Sequence, residues 1–225
     1  MSTVLAITLA TAPCLFWLGA VLRHNDNERE PWSLVVLGLG LGATCTLGVL
    51  WLRPPLENAL APASPFVEAF VVTAFAEEMW KLLALLPLLM LSEVDEPLDG
   101  AVYGAAVGLG FAGCENVFFV FDDGDAMLAL QRAFTSTLLH AACTGCLGLA
   151  WAEGKLRRFG VGTLVWLASG VAIAVGLHGL YDLYLSGDRA QALVSLLGVL
   201  PTALVLLSVK MRWARSRSEQ FHPRK

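Results

Sequence analysis

The chain has 225 residues, 56% of them hydrophobic and 15% charged, with a formal net charge of −4. Mean hydropathy is +0.66, whereas an ordinary soluble domain carries about 25% charged residues, so a soluble globular protein is excluded. The only basic cluster is the tail KMRWARSRSEQFHPRK, which is too little for a nucleic-acid partner and suits a cytoplasmic helix end.

A bilayer core needs about 20 mostly apolar residues per spanning helix, and such runs recur along nearly the whole chain. The expected fold class is therefore all-α: a polytopic transmembrane helix bundle of about seven spans, with room for an eighth near the start. Residues 1–210 read as a single transmembrane domain and 211–225 as a basic cytoplasmic tail.

The first run, Val4–Leu22, follows Met1–Ser2 without a basic n-region and exceeds a typical signal-peptide core, so it reads as a retained helix. The second span is Trp32–Leu52, closed by the breaker string RPPLENALAPASP. The third, Phe66–Leu91, carries Glu68, Glu77, Glu78 and Lys81 inside an apolar run. The fourth, Gly100–Phe121, spaces Gly100, Gly104 and Gly108 four apart, as close helix packing requires, and carries Glu115. The fifth, Leu128–Ala152, holds Arg132, His140 and the CTGC pair Cys143 and Cys146. With Cys14, Cys45 and Cys114 these cysteines all lie in apolar runs, where thiols behave as small hydrophobes. The sixth span, Thr163–Leu185, contains His178 and Asp182, and the seventh is Ala190–Val209.

Positive charge sets the expected orientation. Arg23 and Arg29 follow span one, Lys155, Arg157 and Arg158 follow span five, and Lys210, Arg212, Arg215, Arg217, Arg224 and Lys225 follow span seven. The opposite side has only Arg53 and Arg189. The N-terminus is thus expected outside and the C-terminus in the cytoplasm.

Ionisable groups inside spans are costly and mark functional sites. At 1.5 Å rise per residue, Glu77 lies about 16 Å deep, Glu115 about 9 Å, His140 about 18 Å and His178 about 10 Å. Polar groups from four helices thus converge between the outer edge and the middle of the membrane. Glu77 and Lys81 share a helix face, as do His178 and Asp182, four residues apart. A carboxylate one turn from a histidine can fix its tautomer. Glu68 and Arg132, near an interface, can snorkel, and both read as structural.

Two chemistries fit this set. A glutamate can act as general base toward water while imidazoles stabilise an oxyanion. Alternatively, His140, His178 and Glu115 can bind zinc or another divalent metal, leaving a position open. No GxSxG, HExxH or P-loop occurs. A proton- or cation-coupled transporter is the rival reading of such Glu and His groups, although no inverted repeat is evident.

Several strings resemble the PrsW family of intramembrane proteases: EEMWK as EExxK, FAGCE as FxxxE and HGLYD as HxxxD, in that order on successive helices. DNEREPW and LLHAACTG add to the resemblance, which runs from about Asn25 to Leu185. It implies a multi-pass protease of a bacterial or archaeal plasma membrane that cuts membrane-anchored proteins near the outer face, as in regulated cleavage of an anti-sigma factor. The family is akin to the type II CAAX prenyl endopeptidases. By that analogy Glu77 is the base, Glu78 pairs with Lys81, and His178 binds the water or the oxyanion. Glu115, His140 and Asp182 complete the expected catalytic set. Glu115 stands where the prenyl endopeptidases carry a histidine. The clan has been called both glutamic and metallo, so the resemblance leaves the metal open. A non-catalytic helix-binding member of the fold is the remaining alternative.

Overall fold

The computed structural model describes residues 3–23, 30–123, 126–157 and 160–221, and no strand occurs among them. Helix α1 is Thr3–Arg23 and α2 is Trp32–Leu60. The third helical path, α3, begins with the short turn Pro65–Val67, widens into a π-helical stretch Glu68–Phe75, and continues as the α-helix Ala76–Leu89. Next come α4 (Pro97–Asp123), α5 (Ala126–Phe134), α6 (Ser136–Leu156) and α7 (Val161–Leu185). The last path, α8, comprises Arg189–Val194, a π-helical stretch Ser195–Val199, and Leu200–Phe221.

Among the described residues, six helices are long and apolar enough to cross a membrane: Thr3–Arg23, Trp32–Leu60, Pro97–Asp122, Met127–Leu156, Val161–Leu185 and Arg189–Ser216. The α3 path is not among these six; it carries Glu68, Glu77, Glu78 and Lys81. Arg29, Arg158, Arg224, Lys225 and most of the DNEREPW string lie outside the described residues.

Three expected boundaries shift. Helix α2 continues through Pro54 and Pro55 to Leu60. Arg53 and Glu57, 2.6 Å apart, bridge the turn that the prolines weaken, and both prolines are exposed, so the carbonyls they free can meet solvent. The expected fifth span is interrupted at Thr135 (φ −123°, ψ −93°). Its sequence, FTST, is rich in hydroxyls that compete for backbone groups, and Thr135 Oγ1 donates to the Gln131 carbonyl at 2.8 Å. The final helix runs on through most of the basic tail to Phe221.

Helices α4 and α6 form the centre. In their most apolar stretches 67% and 83% of residues are buried, against 18–33% for the other four candidate spans. The glycine ladder explains their closeness. A Cβ at Gly100, Gly104 or Gly108 would overlap the backbone carbonyl of Gly148, Thr144 or His140, respectively. The two numberings run in opposite directions, so the helices are antiparallel and locked in one register. That register places the backbone of His140 and Thr144. On the other side of α4, Gly42 and Gly110 admit Val107 and Leu39 in the same way and bring α2 close. We expect Gly104→Ala to lower stability by about 1–3 kcal/mol, because the neighbouring atom is backbone and cannot rotate away. An unchanged unfolding midpoint in detergent would contradict the glycine ladder.

Gly179 on α7 plays a related part. The Phe70 ring from the π-helical stretch of α3 fills the space its side chain would take. This seats α7 against α3 and sets His178, the preceding residue, beside Glu78.

Candidate active site

Lys81 organises the site. It is fully buried, and an ammonium has three donors and no acceptor. All three are used: Glu78 Oε1 at 2.9 Å, Glu77 Oε2 at 3.3 Å and His140 Nδ1 at 2.8 Å. The Phe111 ring lies 4.0 Å away and adds a cation–π contact.

These contacts assign the histidine tautomers. Lys81 can only donate, so His140 Nδ1 accepts. Its Nε2 then carries the proton and donates to Glu115 Oε2 at 3.1 Å. Glu115 is also ion-paired with Arg132, whose Nε donates to Asn116 Oδ1 at 2.6 Å. Asn116 in turn donates to Thr137 Oγ1 at 2.9 Å. Arg132 therefore turns inward, with its side chain 14% exposed, rather than snorkelling. Its guanidinium also stacks on Phe119 at 3.9 Å.

The two adjacent glutamates have different surroundings. Successive residues on a helix point about 100° apart. Glu78 points into the bundle, with no exposed surface. Its Oε1 accepts from Lys81 and from His178 Nδ1 at 2.9 Å, and its Oε2 accepts from Thr144 Oγ1 at 3.3 Å. Glu77 lies on the wall of a cavity of about 1120 Å³. Its one hydrogen bond among the described residues comes from Lys81.

With the Nδ1 proton of His178 given to Glu78, its Nε2 faces Glu77 Oε2 at 3.8 Å and Asp182 Oδ2 at 3.4 Å. A proton on Nε2, or a hydrogen-bond donor or cation lying among the three atoms, reconciles them. Glu77, His178, Asp182, Glu115 and His140 all line the same cavity. Its other wall residues include Arg53, Glu68, Phe119 and Ser186, which lie near the helix ends on one side of the bundle. The cavity therefore opens at one end.

Glu77, His140 and His178 each offer one ligand atom, all within 4.8 Å of one another and all buried. Glu115, expected from the sequence as the oxygen ligand, is held instead by Arg132 and by His140 Nε2. Cys143 and Cys146 lie in the apolar core, apart from this cluster.

The profile of the PrsW family intramembrane metalloproteases matches residues 30–209. The chain belongs to the PrsW family of intramembrane proteases. It is 28% identical over 184 residues to Protease PrsW of Bacillus subtilis (80% of this chain, 82% of that protein). It is 30% identical over 189 residues to Protease PrsW of Geobacillus kaustophilus (81% of each). Protease PrsW of Clostridioides difficile is 29% identical over 205 residues (84% of this chain, 82% of that protein). These relatives are bacterial, and the archaeal alternative gains no support from them. No solved structure matches the chain at a significant level.

Membership makes the chain a multi-pass intramembrane protease. Within the PrsW region, the EExxK, FxxxE and HxxxD strings now have spatial meaning. EExxK supplies both carboxylates and the ammonium, FxxxE supplies Phe111 beneath Lys81 and Glu115 beside His140, and HxxxD supplies His178 with Asp182. Asn116 stands directly beside Glu115 in the sequence, whereas Thr144 and Thr137 do not stand out, because uncharged polar residues are common in membrane helices. Four-residue spacing from His140 is the one feature that could have pointed to Thr144.

Proposed function

We propose that this protease hydrolyses a peptide bond of a membrane-anchored protein with water activated by Glu77. The supporting observation is the contrast between the paired glutamates: Glu78 has both oxygens occupied in the bundle, while Glu77 faces the cavity beside Nε2 of His178. A water donating to Glu77 Oε2 and His178 Nε2 relieves the convergence of acceptors and is held for attack. Glu77 takes its proton as the oxygen adds to the scissile carbonyl, and returns it to the departing amine nitrogen. Glu78 fixes the His178 tautomer, and Asp182 supports the same ring from one turn away. Lys81 and the Glu115–Arg132 pair hold His140 in place.

The family description includes a metal, and the donors present fit one. Two imidazoles and a carboxylate, buried and mutually close, form the nitrogen and oxygen set that zinc takes in hydrolases. Glu77, His140 and His178 would hold the ion, which would serve as a Lewis acid toward the scissile carbonyl, and Glu77 would then be a ligand rather than the base. The Lys81 ammonium lies against two of these three side chains and His140 bonds both Lys81 and Glu115, so His140 would have to exchange one of these bonds for the ion.

The seven-span topology, with α3 as the charged seventh membrane helix, is part of this proposal. So is an outside N-terminus, which puts the cavity mouth on the outer face of a plasma membrane. A single-span protein cut on that side, such as an anti-sigma factor in a site-1-type cleavage, is the substrate class the family resemblance suggests.

Elemental analysis of the detergent-purified full chain, with cleavage of a single-span test substrate scored in parallel, tests the ligand assignment. About one zinc per chain, lost together with cleavage in His178→Ala, would establish the ligand set and make Glu77 a ligand. Chelator-resistant cleavage by metal-free protein would overturn the ligand set and leave Glu77 as base without an ion.

A further inference from the structure

Ser136 is the residue the proposed mechanism leaves unused. It is 7% exposed, and its Oγ has no hydrogen-bond partner among the described residues. It lines the same cavity as Glu77 and His178. Burying an unpaired hydroxyl is unfavourable, so the group calls for a partner that arrives from the cavity.

Its position narrows the partner. Ser136, His140 and Thr144 follow one another at four-residue intervals on α6 and so share one face. Thr144 bonds Glu78, and His140 bonds Lys81 and Glu115. Ser136 is the next step of this stripe toward the cavity mouth, about one helical turn from His140. It is also the first residue of α6, directly after the break at Thr135. The first N–H groups of a helix have no intrahelical partner and form its positive end. Thr135, Ser136 and Leu139, all at this end, line the cavity. Thr135 and Leu139 already give their N–H groups to the carbonyls of Arg132 and Thr135, so among these three Ser136 supplies the unused donor, one turn from the reacting groups.

A membrane-spanning substrate presents no free carbonyl while it stays helical. To be cut it must open its own hydrogen bonds, and the freed carbonyls find little water at that depth. We infer that the Ser136 hydroxyl donates a hydrogen bond to a backbone carbonyl of the extended substrate strand, adjacent to the scissile bond. This assignment rests on the protease reading given above. Ser136 is then a substrate-positioning residue, working beside the start of α6.

The test uses the full chain in detergent and a fluorescent peptide with one apolar span of about 20 residues interrupted by a Gly-Ser stretch. Binding is measured in the Glu77→Gln background, where the peptide is not cut, with and without Ser136→Ala and Ser136→Thr. The expected result is about tenfold weaker binding for Ser136→Ala, recovery in Ser136→Thr, and no fall in the unfolding midpoint, since no internal bond is lost. Equal binding by all three proteins overturns the assignment. So does a loss of binding accompanied by a lower midpoint, which marks a structural role. If the binding difference appears but the otherwise unaltered chain fails to cleave the peptide, the Ser136 contact to a bound strand stands, while its place beside a scissile bond falls with the proposed mechanism.

Discussion

Glu77→Gln should abolish measurable cleavage while leaving the protein folded. Glutamine keeps the shape of the side chain, and its amide oxygen can still accept the Lys81 contact seen at 3.3 Å. It lacks a carboxylate to receive a proton from water. General-base catalysis contributes about 10²–10⁴-fold to a hydrolysis, so a loss of that order is expected at an unfolding midpoint close to that of the unaltered chain. Glu78→Gln should differ in kind. It disturbs a carboxylate that accepts from Lys81, His178 and Thr144, so it should lower stability as well as activity. Parallel cleavage assays and thermal unfolding of the two variants separate these patterns. A Glu77→Gln enzyme with near-normal turnover would remove Glu77 from the chemistry.

The largest expected stability effect belongs to Lys81→Met. Methionine fills similar space but removes the positive charge shared by two buried carboxylates and a buried imidazole. Breaking a buried ion pair by deleting one partner costs about 3–5 kcal/mol, because the other charge is left uncompensated. Here two carboxylates are left, so the upper part of that range is expected, seen as a large drop in the unfolding midpoint and poor accumulation in the membrane. Adding Glu78→Gln to Lys81→Met removes one orphaned charge and should restore part of the loss. Lys81→Arg is not a mild change either: a planar guanidinium cannot reproduce three converging ammonium bonds. A Lys81→Met protein as stable as the unaltered chain would show that the network is not coupled as described.

Much of this site was legible in the sequence because charge in an apolar run is conspicuous. Glu77, Glu78, Lys81, Glu115, His140, His178 and Asp182 stood out for that reason, and the structure gathers them around one cavity and the buried pocket behind it. The sequence did not show which of the two adjacent glutamates faces the cavity. That depends on helix rotation, and the π-helical stretch Glu68–Phe75 just before them alters the register. Arg132 looked like an interfacial side chain because its depth suggested snorkelling; the nearness of Glu115 and Asn116 is a tertiary fact. The break at Thr135, which makes Ser136 a helix start, has only FTST as its local sign. The extension of α2 through Pro54 and Pro55 runs against local preference altogether. The glycines at 100, 104 and 108 were read correctly as close packing, but only the structure shows that they set the height of His140.

The central claim is that Glu77 activates water directly rather than attacking the substrate itself. Single-turnover cleavage of a single-span substrate in ¹⁸O-labelled water, with excess full-length enzyme, tests it most directly. The account predicts that the label appears only in the new carboxylate of the product, and that intact-mass analysis shows no adduct on the enzyme. A covalent enzyme–substrate species, or label recovered in the carboxyl group of Glu77, would contradict it.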